Sequence, residues 1–188
     1  MKNFLLIGLI FIGIVSCNRK LTIKEKENYT AKGKEIAQAT FNELSSQLTA
    51  KINSGGPSEA IPFCNLEANS LTEQMAEKFN VSIRRTSNQL RSCSNEPSNR
   101  EAAIISDYEQ LLNAGKPIAP IIEIDKNNKK HFYAPIKVQS NCLVCHGKIN
   151  ETLSVSTDSI IKLFYPFDKA IGYSEGDLRG IWSIEFKK

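Results

Sequence analysis

The chain contains the stretch Asn141-Cys142-Leu143-Val144-Cys145-His146-Gly147, in which two cysteines stand three residues apart and a histidine follows directly. Residues three apart lie on the same side of a helical turn, so both sulfurs can face one partner. There they can form thioethers with the two vinyl groups of a haem, and His146 can bind the iron as proximal ligand. A chain of 188 residues with five Cys and two His contains Cys-x-x-Cys-His by chance only about 0.001 times. The stretch therefore predicts one covalently attached haem c, held by Cys142, Cys145 and His146.

Three other interpretations of this stretch compete with haem. A zinc site would need two further ligands, which Cys64, Cys93 and His131 could supply. A thioredoxin-like redox pair normally follows a strand in a βαβ pattern, and that context is missing here. A disulfide between Cys142 and Cys145 would close an unusually short loop. Only haem explains why a histidine follows the second cysteine directly, so we favour haem.

The amino terminus has the composition of an export signal. Lys2 supplies a positive charge, and residues 4–15 form an apolar run that is shorter than the roughly 20 residues needed to span a bilayer. The run ends in Ile14-Val15-Ser16-Cys17, which resembles the lipobox of bacterial lipoprotein signals. The resemblance implies cleavage before Cys17 and acylation of that cysteine, so we predict a lipoprotein signal peptide over residues 1–16. The alternative is a short membrane anchor with an incidental cysteine.

The export signal and the haem motif together predict where the protein works. Several acyl chains on Cys17 would anchor it stably to membrane lipid, whereas a single chain would not. Thiols outside the cytoplasm tend to oxidise, so unpaired cysteines there need a reason, and haem c is attached after export. We therefore expect an exported, membrane-anchored lipoprotein that faces the periplasm or the cell exterior.

Composition and charge narrow the remaining possibilities. Removal of the signal takes Lys2 alone among the charged residues, so 24 basic and 20 acidic side chains become 23 and 20, a net charge of about +3. The charges are evenly spread, so we do not expect nucleic acid as a partner. The remaining length suits one ordinary domain with a hydrophobic core.

The front of the mature chain is predicted to be helical. Residues 17–30 are polar and charged, which indicates a tether or a frayed helix start. Apolar residues then recur at helical spacing from Ala31 to Asn53, and Gly55-Gly56-Pro57 ends this long N-terminal helix. A second helical region runs from Ser58 to Phe79 and is disturbed by Pro62.

The back of the chain is predicted to be rich in strands. Helices in front and antiparallel strands behind give an α+β domain over residues 31–188. The predicted elements, in chain order, are a strand over 81–86, a helix capped by Asn99, a hairpin of strands over 118–125 and 131–138, a short helix from Thr157 or Asp158, and a strand over 181–186.

The second axial ligand of the iron has few candidates. Electron-carrier cytochromes c usually take a methionine from downstream of the motif, but Met75, the one methionine of the mature chain, lies upstream on a helical stripe that suggests core packing. His131 stands beside two lysines at the end of the hairpin, so we expect it at the surface, with a bis-histidine site as the alternative. Cys93 lies in a polar loop. Cys64 has apolar neighbours that could shield a thiolate, and its alternatives are a buried structural cysteine or a disulfide with Cys93.

Several short segments recur in an order and spacing typical of one family. They are Ala60-Ile61-Pro62-Phe63-Cys64, Ile83-Arg84-Arg85-Thr86-Ser87, Tyr133-Ala134-Pro135-Ile136, Cys142-Leu143-Val144-Cys145-His146-Gly147, and Tyr165-Pro166-Phe167-Asp168-Lys169-Ala170 with Gly176-Asp177-Leu178-Arg179-Gly180. Over nearly all of its mature length the chain thereby resembles a family of uncharacterised c-type haem-binding domains. The resemblance implies a PAS-like antiparallel sheet with flanking helices, and it implies His146 and Cys64 as the two axial ligands.

The chain departs from the family's pattern in one loop. Where the family usually has an Arg-Asn-Pro-like turn, this sequence has Arg91-Ser92-Cys93-Ser94, so we expect a different loop. Arg84, Arg85 and Arg91 are candidates to pair with haem propionates, because guanidinium groups pair well with carboxylates. Solvated surface charges are the alternative interpretation of these three arginines.

The predicted function is that of a monohaem c-type cytochrome in redox or electron transfer. The alternative is a haem-based redox or gas sensor in which Cys64 is a displaceable ligand, a role that suits a PAS-like fold. We do not expect an enzyme, because a peroxidase would need a positioned acid or base beside an open iron, and histidine is scarce here. The partner would be an unknown redox or signalling protein.

Overall fold

A computed structural model describes residues 19–187 of the chain. The predicted signal peptide, residues 1–16, and the predicted acylation site, Cys17, lie outside those residues. Within the described range, no helix is both long enough and apolar enough to cross a membrane.

An antiparallel sheet of four strands forms the centre of the domain. Its strands are β1 (Val81–Thr86), β2 (Ile121–Ile124), β3 (Lys130–Lys137) and β4 (Leu178–Phe186), and their order across the sheet is β1-β4-β3-β2. β1 has the predicted bounds, and β2 and β3 form the predicted hairpin. β2 is shorter than the predicted 118–125, and β3 begins and ends one residue before the predicted 131–138. β4 begins three residues earlier than predicted, at a glycine-containing segment.

Six helices surround this sheet within the described residues. The sequence predicts the helical front of the chain, and the structure splits its second part into two helices at Glu67. Helices in front of an antiparallel sheet confirm the predicted α+β class. The helices are α1 (Ile23–Gly55), α2 (Pro57–Leu66), α3 (Ala68–Lys78), α4 (Asn99–Asn113), α5 (Leu143–His146) and α6 (Val155–Phe164).

Helix α1 begins earlier than the apolar pattern predicts. The Thr22 hydroxyl accepts a hydrogen bond from the Glu25 backbone N–H, and the Glu25 carboxylate accepts one from the Thr22 backbone N–H. Residues 23–30, which the sequence suggests are part of a tether, therefore form the first turns of α1. The capping box was the available signal for this earlier start, because an exposed first turn carries few apolar residues.

The two faces of the sheet pack against different helices. On the first face, α1 and α3 cover Phe132 of β3 and Trp182 of β4, and Met75 is buried there as the sequence predicts. A Cβ atom at Gly33 of α1 would lie 2.3 Å from Cγ of Phe132, so only glycine lets the helix lie this close. On the second face, α4 covers Tyr133 and other apolar side chains.

Two helices begin at serine caps that differ from the predicted starts. α4 is capped by Ser98, one residue before Asn99, and Glu101 completes a capping box with it. α6 is capped by Ser154, so it begins before Thr157. In both helices the serine hydroxyl accepts the backbone N–H three residues on, which is the preferred arrangement at this position.

Candidate functional site

Two adjoining hollows between α1, α2, α5 and the first face of the sheet form one cavity. Their volumes, taken out to the open mouths, are about 970 and 1020 Å³. Phe41, Leu44 and Leu48 of α1 give the cavity an apolar wall. All four residues that the sequence predicts to hold haem lie in its lining, namely Cys64, Cys142, Cys145 and His146.

Cys142 and Cys145 reach the cavity from one tight turn of the chain. Cys142 ends the 3-10 turn Ser140–Cys142 and Cys145 belongs to α5, so the two sulfurs are one helical turn apart. The turn ends at Gly147, where a Cβ atom would lie 1.8 Å from Oγ1 of Thr152. Glycine is therefore needed at this position for the chain to follow its path.

His146 has one ring nitrogen bonded and the other free. Its Nδ1 donates a hydrogen bond of 2.6 Å to the Ala170 carbonyl oxygen, whereas Nε2 has no hydrogen-bond partner among residues 19–187. Burial first, and then the charges of Arg91 and Arg179, hold the pKa of this imidazole well below its usual range. The ring is therefore neutral at neutral pH. A neutral imidazole with Nδ1 bonded and Nε2 free is the usual form of a metal-binding histidine.

Cys64, on α2, is the third cysteine that lines the cavity. Burial raises the pKa of its thiol and the neighbouring Cys145 raises it further, while the charges of Arg85 and Arg91 oppose both effects. Without a metal the neutral thiol is therefore the favoured form. A metal ion that bound this sulfur would have to displace the proton, as metals bound by cysteine do.

The other candidate ligands lie away from the cavity. His131 is on the second face of the sheet, where its Nε2 lies 3.3 Å from the Asp125 carboxylate and its side chain is 18% exposed, less than the sequence suggests. Cys93 is exposed, and neither it nor Cys64 forms a disulfide. Within residues 19–187 no three His, Cys, Asp or Glu side chains are grouped closely enough to hold a metal ion. The zinc, bis-histidine and Cys64–Cys93 alternatives therefore have no geometric support in the described chain.

Arg91 ties the Cys-x-x-Cys-His turn to the loop that carries Ala170. Its guanidinium donates two hydrogen bonds of 3.2 Å to the Asp168 carboxylate. It also donates to the carbonyl oxygen of Cys145 at 2.6 Å and to that of Ala170 at 3.2 Å. The sequence suggests a propionate partner or a surface charge at this position. The structure instead gives Arg91 a positioning role, since it holds the acceptor of the His146 hydrogen bond.

Arg84 and Arg85 point to opposite faces of the sheet, because neighbours on a strand alternate. Arg84 lies on the second face and pairs with Glu101 of α4 at 3.0 Å, so it does not line the cavity. Arg85 lies on the first face, lines both hollows, and donates a hydrogen bond of 3.4 Å to the Ala68 carbonyl oxygen. Of these two adjacent arginines, only Arg85 is placed to meet a ligand in the cavity.

Arg179 also lines the cavity. The sequence places it in the recurring segment Gly176-Asp177-Leu178-Arg179-Gly180 but predicts no role for it. It occupies a β-bulge: Ile136 pairs with Gly180 and Lys137 pairs with Leu178, which leaves Arg179 without a partner on β3. The extra residue changes which side chains point to each face of the sheet. Leu178 therefore packs against the apolar cluster under α4, whereas Arg179 faces the cavity. A glycine next to an apolar strand pattern was the signal for this bulge.

Gly180→Ala is expected to lower the free energy of unfolding by about 1–3 kcal/mol, as overpacking does. The added Cβ would lie 2.2 Å from the Thr86 carbonyl oxygen, a backbone atom of the neighbouring strand β1. Ser183→Ala, on the same strand, is the control and should stay within about 0.5 kcal/mol of the parent. Urea unfolding measures both values, and equal midpoints for Gly180→Ala and the parent would contradict the prediction.

Comparisons with known proteins identify a family and a similar fold. The family model described as Tll0287-like matches residues 20–186, nearly all of the described chain. Among solved structures, the crystal structure of the cyanobacterial heme-protein Tll0287 has a TM-score of 0.58 and 18% sequence identity, and the alignment covers 84% of this chain and 96% of that chain. At that identity the likeness concerns the fold. A search of curated proteins finds no match.

Proposed function

Because this chain belongs to the Tll0287-like family, we propose that it is a monohaem c-type cytochrome that transfers electrons at a membrane surface. A haem in the cavity would supply an iron that cycles between its ferric and ferrous states. The cyanobacterial protein of similar fold is a heme-protein, which supports the same cofactor here. The observation that carries the proposal is the neutral imidazole of His146, whose Nε2 has no hydrogen-bond partner among residues 19–187, in a cavity that Cys142 and Cys145 also line.

The residues of the cavity fit a haem. The two thiols on one turn can bond covalently to its two vinyl groups, and the adjacent imidazole offers a free nitrogen for the iron. The apolar wall from α1 offers the porphyrin a surface that excludes water. Cys64 would offer the iron a sulfur as its second ligand.

The anchor and the location of the protein rest on residues 1–17 alone. Acylated Cys17 would hold the protein in membrane lipid outside the cytoplasm, facing the periplasm or the cell exterior. Six residue steps separate Cys17 from Ile23, where α1 begins, and they span at most about 20 Å. The domain would therefore stay close to the membrane surface, where it would meet an electron donor or acceptor.

The test is expression of the full chain in a host that matures c-type cytochromes. The protein should collect in the membrane fraction and be red, and its mass should exceed that of the processed, acylated polypeptide by one haem that denaturation does not remove. The control replaces Cys142 and Cys145 with serine, which removes both attachment points and should abolish covalent haem. A colourless parent of bare polypeptide mass would contradict the proposal.

A second candidate function is a haem-based redox or gas sensor in which Cys64 leaves the iron. It is favoured by the raised pKa of the Cys64 thiol, which arises chiefly from burial, because a displaced sulfur would take up a proton and stay off the metal. Rapid binding of carbon monoxide by the reduced protein would favour the sensor. Reduced iron that keeps both ligands and exchanges electrons quickly would favour the carrier.

A further inference from the structure

Two arginines of the cavity have no acidic partner. Within residues 19–187, neither Arg85 nor Arg179 forms an ion pair, and these are the two arginines that line both hollows of the cavity. Every other arginine of the chain pairs with a carboxylate: Arg19 with Glu25, Arg84 with Glu101, Arg91 with Asp168, and Arg100 with Glu123.

Both side chains have hydrogen-bond donors to spare. Arg85 donates from Nη2 to the Ala68 carbonyl oxygen at 3.4 Å. Arg179 donates from Nη1 to the Gln89 carbonyl oxygen at 3.1 Å. A guanidinium group carries five N–H donors, so most donors of both side chains are open to a ligand.

The two positive charges also disfavour each other. Burial is the main cause that lowers the pKa of each guanidinium, and the charge of Arg179 lowers the pKa of Arg85 further. Two like charges are unfavourable in a partly buried site whose lining residues include no carboxylate. The carboxylate whose charge reaches Arg179 is that of Asp168, which is already paired with Arg91. A ligand that brings two negative charges to this place would remove the repulsion.

Specific backbone features place both guanidiniums in the cavity. The alternation of β1 turns Arg85 to the first face, and the bulge that depends on Gly180 turns Arg179 to the same side. The Tyr173 ring lies 5.6 Å from Cζ of Arg179 and contacts His146 edge-on, with 6.2 Å between ring centroids. The Arg179 guanidinium therefore lies near the histidine that would bind the iron.

We propose that Arg85 and Arg179 form a dicarboxylate-binding pair that takes the two propionate groups of haem. This inference rests on the proposed function. Guanidinium and carboxylate groups pair in a fixed geometry, so the arginine pair would orient the porphyrin as well as attract it. It would thereby present the vinyl edge to the Cys142 and Cys145 sulfurs before they bond to it.

The test uses the full chain with Cys142 and Cys145 replaced by alanine, so that porphyrin binding is reversible. Ferric protoporphyrin IX, which has two free carboxylates, and its dimethyl ester, which has none, are titrated separately. Quenching of Trp182 reports binding, because it is the only tryptophan and lines the cavity. Arg85→Met and Arg179→Met should each weaken binding of the free acid by about ten- to hundredfold, and neither should change binding of the ester.

The control is Arg100→Met, which removes one positive charge from the second face of the sheet and should leave both affinities unchanged. Thermal unfolding of the ligand-free chains gives an independent measurement. Arg85→Met and Arg179→Met should be at least as stable as the parent, because each removes an unpaired charge. A structural role for either arginine would instead lower stability.

Two results would overturn the arginine pair. In the first, the parent binds the ester as tightly as the free acid. In the second, the methionine variants bind both porphyrins more weakly and by the same factor. Arg85 would then act by stabilising the Cys64 thiolate, or either arginine would act only as part of the cavity wall. If the unmodified chain gains covalent haem while both arginine variants keep their affinity for the free acid, the pair is overturned and the proposed function stands.

Discussion

Arg91→Met is expected to lower the free energy of unfolding by about 3–5 kcal/mol, the usual result of leaving a buried charge without its partner. Asp168 is the charge left behind, since its side chain is 4% exposed and its cation is Arg91. The carboxylate would keep the hydrogen bond of 2.9 Å from the Ala170 backbone N–H, which does not supply a full positive charge. The Cys145 and Ala170 carbonyl oxygens would lose their Arg91 donor as well.

Urea unfolding of the haem-free chain measures this loss against a matched control. Arg100→Met also removes an arginine from an ion pair, but the Arg100 and Glu123 side chains are 52% and 28% exposed, so the loss should be at most about 1 kcal/mol. Adding Asp168→Asn to Arg91→Met should recover part of the stability, because an amide needs no counter-charge. A loss for Arg91→Met no larger than that for Arg100→Met would show that the buried pair does not hold this loop.

The candidate haem-binding residues could be predicted from the sequence because of their residue types and spacing. Cysteine and histidine are rare in this chain, so the Cys-x-x-Cys-His spacing stands out, and the structure brings those residues into one cavity with Cys64. The α+β class was predictable for a related reason. Helical spacing in front and the alternation of Val81–Thr86 behind follow directly from which side chains must be buried.

The residues that orient His146 could not be predicted from residue type and spacing. The acceptor that orients His146 is the backbone carbonyl of Ala170, and any residue type could supply it. Arg91 acts through the same loop, and its partner Asp168 lies 77 residues away in the sequence. Local patterns contain no information about such a pairing.

The β-bulge at Arg179 could not be predicted from the alternation of side chains along the strand. Strict alternation counted back from Trp182 would turn Arg179 toward α4, away from the cavity. One extra residue reverses that assignment, and Gly180 permits it because a side chain there would meet the backbone of β1. Alternation does separate Arg84 from Arg85, because Val81 and Ile83 are buried on the same face as Arg85. That part of the site was within reach of the sequence.

Cys64→Ser is expected to raise the reduction potential of the haem by on the order of 100 mV, since axial ligands set potentials over a range of about 0.8 V. A thiolate donates electron density and favours ferric iron, and a serine hydroxyl is a much poorer donor. The haem should stay attached, because the proposed bonds to Cys142 and Cys145 do not depend on Cys64. The absorption spectrum of the ferric protein should change with the loss of the sulfur ligand.

Cys93→Ser is the matched control for this change. It makes the same substitution at an exposed cysteine in the 3-10 turn Cys93–Asn95, outside the cavity lining, and should alter neither spectrum nor potential. Redox titration of the three purified proteins separates the outcomes. If Cys64→Ser keeps the parent's spectrum and potential, Cys64 does not bind the iron. If both serine variants shift the potential equally, the shift does not depend on whether the replaced cysteine lines the cavity. A loss of the sulfur ligand's spectrum together with a raised potential, confined to Cys64→Ser, is the result expected for a sulfur bound to the metal, because of these two cysteines only Cys64 lines the cavity with His146.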